Sequence, residues 1–156
     1  MDLRLVLVAL AHGALLGIGG WLIVIDVRTH RLPNRIVLPT LAALIALVAT
    51  DAVVTGESGP MVSALLGMLV LGGFYALLRL ISRSGMGGGD VKLAAVIGLI
   101  LGWHGWTELV IGAASAFVLG SLYALVLMIL RRADGATRIA FGPWMIAGAV
   151  LGLFIG

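Results

Sequence analysis

Polar residues interrupt this chain in a regular way. Apolar runs occupy roughly Leu5–Ile25, Ile36–Val54, Met61–Leu80, Val91–Trp103, Leu109–Leu130 and Phe141–Ile155, and the gaps between them are short and hold glycine, proline or charge. A helix needs about 20 apolar residues to cross a bilayer. Four runs meet that length, the last is slightly short, and the fourth, Val91–Trp103, is the odd one. The pattern predicts an all-α polytopic membrane protein with six transmembrane helices, one domain over residues 1–156 and no soluble domain.

Composition supports the bilayer as solvent. Hydrophobic residues make up 62% of the chain and charged ones 11%, with a mean hydropathy of +1.20; a soluble domain carries about 25% charged residues. There is no cysteine, which removes disulfides, thiolate zinc sites and cysteine nucleophiles. A cleavable signal peptide fits the N-terminus poorly, because Met1–Arg4 carries no net charge and the strong basic flank follows the first apolar run.

The basic residues set an orientation. With six crossings, the odd-numbered connections hold Arg28, Arg31, Arg35, Arg79, Arg83, Lys92, Arg131, Arg132 and Arg138, and the opposite side holds only Arg4. Positive charge marks the cytoplasmic side, so both termini are expected outside. The pI of 10.2 then reflects topology, and no nucleic acid partner is expected. The count also requires the fourth run to cross, although 13 residues span only about 20 Å. That helix is expected to start below the cytoplasmic surface, with a non-helical Gly85–Asp90 segment dipping into a water-accessible pocket. Small residues at Gly13/Gly17, Gly98/Gly102 and Gly148/Gly152/Gly156 have the spacing of helix-packing seams, and packing within the bundle is expected for them, with oligomerisation as the alternative.

Two carboxylates stand out. Asp90 closes Gly85-Met86-Gly87-Gly88-Gly89-Asp90; it suits a helix N-cap, but an ionisable residue at membrane depth is a functional candidate. The flanking Gly87, Gly88 and Gly89 would let an extended peptide approach it. Asp26 ends the first run, where an ion pair with Arg28 or Arg31 is the plain alternative, yet a helix C-terminus disfavours negative charge. Both lie toward the same leaflet. Two close carboxylates hold one proton between them, so one can deprotonate water while the other donates to a peptide carbonyl; no metal or cofactor is needed. Lys92 reads equally as an anchor or as a group tuning Asp90. His12, His30 and His104 fall on different segments and make a shared metal site improbable. Pro33-Asn34 reads as a turn with an N-cap, and Asp134-Gly135 as a loop turn.

Gly85-Met86-Gly87-Gly88-Gly89-Asp90-Val91-Lys92 resembles the Gly-x-Gly-Asp signature of type IV prepilin peptidases. Asp26 with Arg28-Thr29 and Leu32-Pro33-Asn34 is similar to that family's first aspartate block, and Phe141-Gly142-Pro143 to its terminal block. The resemblance covers nearly the whole chain. It implies a six-helix intramembrane aspartic endopeptidase of the bacterial inner membrane with Asp26 and Asp90 as the catalytic pair. Such an enzyme removes the basic leader of prepilins or pseudopilins at the cytoplasmic face, after a glycine and before the apolar pilin helix. Larger members add a cytoplasmic domain, often with a cysteine zinc site, and methylate the new N-terminus; here the implication is peptidase without methyltransferase, similar to the short enzymes of tight-adherence (Flp-type) pili. The rival readings are a non-enzymatic transporter or assembly subunit, and a presenilin-like protease, which the Pro-Asn and Phe-Gly-Pro blocks fit poorly.

Overall fold

The structure is a computed structural model that describes residues 3–29, 33–81, 87–131 and 140–156. These form six helices: α1 (Leu3–Thr29), α2 (Asn34–Thr55), α3 (Gly59–Ile81), α4 (Gly88–His104), α5 (Trp106–Ile129) and α6 (Gly142–Ile155), with no strand among the described residues. Every apolar run became one helix. α1, α2, α3 and α5 are long and apolar enough to cross a membrane, while α6, at 14 residues, is a shorter apolar helix.

α4 is the middle of the bundle. Ten of its 17 residues are buried, from Leu93 through Trp103, and it packs on α2, α3, α5 and α6. A helix apolar all round belongs inside a bundle. It starts earlier than the apolar pattern indicated. Gly88 and Gly89 are already helical and only Gly87 is extended (φ −72°, ψ 149°), so the expected non-helical stretch to Asp90 is corrected over those residues. Gly85 and Met86 lie outside the described residues, as do His30 and the Asp134-Gly135 turn. The added turn lengthens α4 to about 26 Å.

Glycine decides which helices touch closely. A Cβ on Gly102 would lie 2.6 Å from the Ser63 carbonyl oxygen and 3.1 Å from Gly67 Cα, and one on Gly98 would meet the Gly67 backbone, so α3 and α4 meet backbone to backbone. Gly148 and Gly152 do the same for α6 against α5: their Cβ positions fall 2.5 Å from the carbonyl oxygens of Gly112 and Glu108. In lipid, where apolar side chains gain little by leaving the solvent, this close packing holds helices together. The third seam is different. Gly13 and Gly17 face nothing within 4 Å, so packing within the chain does not explain them.

Candidate functional site

One end of the bundle collects the C-terminus of α1 and the N-termini of α4 and α6. α1 does not stop at Asp26 but continues to Thr29, which turns the carboxylate into the bundle rather than out of a helix end; Asp26 is only 5% exposed. A carboxylate so placed needs donors. The backbone N–H of Gly142, the first residue of α6, donates to Asp26 Oδ2 at 3.1 Å. That N–H has no acceptor within its own helix, Pro143 next to it has no N–H to offer, and the positive end of the α6 dipole faces the charge. The unfavourable position of Asp26 on α1 is therefore offset by a helix that begins 116 residues later.

Asp90 is the third residue of α4 and not its N-cap. Its Oδ2 accepts from the Gly87 N–H at 3.0 Å, the reciprocal half of a capping box, and a carboxylate in the first turn is favoured by the helix dipole. Asp26 and Asp90 come within electrostatic range of each other. Two acidic groups 64 positions apart in the chain thus lie at the same end of the bundle, near the C-terminus of α1 and the N-termini of α4 and α6. No group of three or more His, Asp or Glu able to hold a metal occurs among the described residues.

The surroundings hold this junction in place. Tyr75 of α3, 1% exposed, lies near enough to Asp90 to feel its charge. Its ring packs on Phe141 (centroids 6.1 Å) and Phe117 (5.6 Å), and Phe117 packs on Phe141 at 5.4 Å. These rings fix Phe141, and with it the Gly142 N–H aimed at Asp26. Arg79 on the next turn of α3 lies against Gly88, beside a cleft of about 520 Å³ lined by Ala76, Arg79, Leu80 and Val91. Of the three glycines expected to admit a peptide, Gly88 is therefore covered by Arg79, whereas Gly87 is exposed. Lys92 Nζ donates to Asn34 Oδ1, tying α4 to the start of α2. That contact favours the anchor reading, and it also corrects Asn34, which lies inside α2 and uses its side chain for Lys92; Pro33 is the N-cap and no side chain caps the helix.

Two features of the site had no clear signal in the sequence. Tyr75 looks like any interfacial aromatic, and Gly142 was visible only as part of the Phe-Gly-Pro block. The opposite end of the bundle holds a second polar group. Asp51, 1% exposed, accepts from Trp103 Nε1 at 3.0 Å, and Arg4 Nε lies 3.8 Å from its other oxygen. The rings of His12 and His104, expected to be scattered, are 5.0 Å apart, because α1 and α4 bring them to the same end. Each donates from Nδ1–H to the carbonyl oxygen four residues back, that of Val8 and of Ile100.

The profile of the type IV leader peptidase family matches residues 13–130. The chain is 36% identical over 146 residues to a prepilin leader peptidase/N-methyltransferase of Dickeya chrysanthemi, covering 92% of this chain and 50% of that protein. It is 34% identical over 128 residues to the protein of that name from Stutzerimonas stutzeri, covering 81% and 43%. With that of Bacillus subtilis it shares 33% identity over 138 residues, covering 85% and 50%. The chain spans about half the length of these curated relatives. No solved structure matches it.

Proposed function

The chain belongs to the type IV leader peptidase family, and from that premise we propose that it is an intramembrane aspartic endopeptidase that removes the basic leader of prepilins or pseudopilins, with Asp26 and Asp90 as its catalytic pair. The observation that carries this reading is the convergence of the two carboxylates at one bundle end, each held by a backbone N–H.

The reaction follows from the pair. One carboxylate is ionised and takes a proton from a water molecule as the water oxygen attacks the scissile carbonyl carbon. The other, protonated, donates to the carbonyl oxygen. The tetrahedral intermediate collapses, the C–N bond breaks, and the leaving amine takes a proton from the pair, which is thereby restored. Asp26, buried and already bonded to Gly142, is suited to stay ionised as the base. Asp90, half-buried and beside exposed Gly87, is suited to face the substrate carbonyl. Six crossings, with the basic connections in the cytoplasm and both ends of the segment outside, put this junction near the cytoplasmic face of the bacterial inner membrane. There a leader still attached to its apolar helix meets it.

Co-expression with a prepilin, followed by a gel shift and N-terminal sequencing of the product, tests the reading. Cleavage is expected after a glycine, and Asp26→Asn or Asp90→Asn is each expected to abolish it while the protein stays folded. Undiminished processing by either variant refutes the dyad. The same product, weighed by mass spectrometry, is expected to carry a free amine; one extra methylene would refute peptidase activity without methyl transfer.

A further inference from the structure

We propose that Tyr75 is a third catalytic residue, its phenol O–H donating to the scissile carbonyl oxygen as negative charge develops there. The inference rests on the peptidase reading above and adds a donor that neither aspartate supplies.

The packing of α3 on α4 sets the height of this side chain. A Cβ on Gly67 would lie against Gly98 and Gly102, and one on Gly72 would lie 3.2 Å from Ala95 Cβ, so the two helices run antiparallel in this register. Three residues on from Gly72 and three back from Ala95 are Tyr75 and Lys92. Asp90 is two residues beyond, about 3 Å along the axis, and its charge reaches Tyr75. On its other side the ring packs on Phe141, with centroids 6.1 Å apart, and the next residue, Gly142, donates to Asp26. Tyr75 therefore stands between the elements that hold the two carboxylates.

Its hydroxyl is uncommitted. Tyr75 is 1% exposed, yet its oxygen has no hydrogen-bond partner among the described residues. Among those residues the fully sealed side-chain polar atom without a partner is Asp51 Oδ1, so the Tyr75 oxygen keeps a small accessible edge. The neighbouring donors are taken: the Gly87 and Gly142 N–H groups by the carboxylates, and the Lys92 ammonium by Asn34. A buried phenol O–H ordinarily finds a partner, and leaving one without is unfavourable. Phenylalanine would fill the same space among Phe74, Phe117 and Phe141 without that cost. What the phenol alone adds is a neutral donor beside the pair.

The reaction assigns its acceptor. The attacking water gives up a proton to Asp26 and needs an acceptor there. The carbonyl oxygen becomes an oxyanion and accepts from two donors, protonated Asp90 and Tyr75. Three packed rings hold the phenol in place before the reaction, and a donor fixed in an apolar surrounding gains most as charge grows on its acceptor. Such a bond strengthens in the transition state, so it acts on kcat rather than on substrate binding.

Tyr75→Phe deletes only the hydroxyl and keeps the ring, so its unfolding temperature is expected at or above that of the wild type. Tyr123→Phe makes the same deletion on α5, keeps the packing on Trp144, and serves as the control. On a prepilin in proteoliposomes, Tyr75→Phe is expected to lower kcat on the order of 100-fold, the scale of one lost oxyanion donor, with KM and the pH profile unchanged. Tyr123→Phe should keep the wild-type kcat. A phosphinate peptide, whose tetrahedral phosphorus carries the charge of the intermediate, is expected to lose affinity for Tyr75→Phe by the same factor as kcat. A wild-type kcat in Tyr75→Phe overturns the proposal and leaves the ring as packing. A lower kcat with a displaced pH profile, or with undiminished phosphinate affinity, overturns it in favour of a hydroxyl that holds Asp90. A wild type that cuts no prepilin removes the peptidase reading and this one with it, whereas an active wild type with an unimpaired Tyr75→Phe removes this one alone.

Discussion

Gly142→Ala probes the junction with the smallest possible change. The methyl group it adds would sit 2.6 Å from Asp26 Oδ2 and 3.2 Å from its carboxyl carbon, where ordinary contacts begin near 3.4 Å. The carboxylate must therefore retreat by about 0.8 Å (3.4 − 2.6), or α6 must move and stretch the 3.1 Å bond from the Gly142 N–H. Either way a hydrogen bond to a charged group, worth about 1.5–3 kcal/mol, is weakened in a buried place. Misplacement of a reacting group by about 1 Å costs on the order of 100-fold in rate. Processing of a prepilin in membranes should thus fall roughly 10- to 100-fold. The substitution replaces a glycine in the first turn of α6 with a better helix former, so loss of helix stability cannot account for the fall. The readout pairs initial processing rates with thermal unfolding in the same membranes or detergent. A Gly142→Ala enzyme that unfolds at the wild-type temperature and cuts at the wild-type rate refutes the claim that this N–H positions Asp26.

Gly98→Ala puts a methyl group against the Gly67 backbone, where no side chain can rotate away; overpacking of this kind costs about 1–3 kcal/mol and is expected as a lower unfolding temperature in detergent. Trp103→Phe removes the donor at 3.0 Å from buried Asp51, with an expected loss of roughly 1–3 kcal/mol but unchanged activity per folded molecule, since it lies at the far end of the bundle; a loss of activity without a loss of stability would contradict that placement. Lys92→Gln keeps a donor for Asn34 and removes the charge. An anchoring role predicts a wild-type pH profile of processing, and a displaced profile would show instead that the ammonium acts on Asp90.

The periodic pattern and the composition were enough for the six helices, because an apolar run bounded by polar residues has few ways to satisfy its backbone. The ordered aspartate, Gly-Asp and Phe-Gly-Pro blocks were enough for the family. Helix ends were less legible. Asp90 was read as preceding α4, whereas the helix starts two residues before it, because the energy that keeps Gly88 and Gly89 helical comes from packing and from the Gly87 bond to Asp90 rather than from propensity, which opposes it. Gly13/Gly17 and Gly98/Gly102 share a spacing and differ in use: α4 is enclosed by four helices, and that face of α1 is open.

The largest difference concerns Asp26. The sequence by itself placed a carboxylate near a helix C-terminus, an unfavourable position for which only an ion pair with Arg28 or Arg31 was in view. The tertiary structure adds what no neighbour in sequence could, the first N–H of α6, which has no acceptor in its own helix, and Phe141 locked among Tyr75 and Phe117. Hydrophobic periodicity is a local property and survives in the sequence. The donor that makes a buried charge tolerable is a backbone group far along the chain, and backbone groups leave no letter to read.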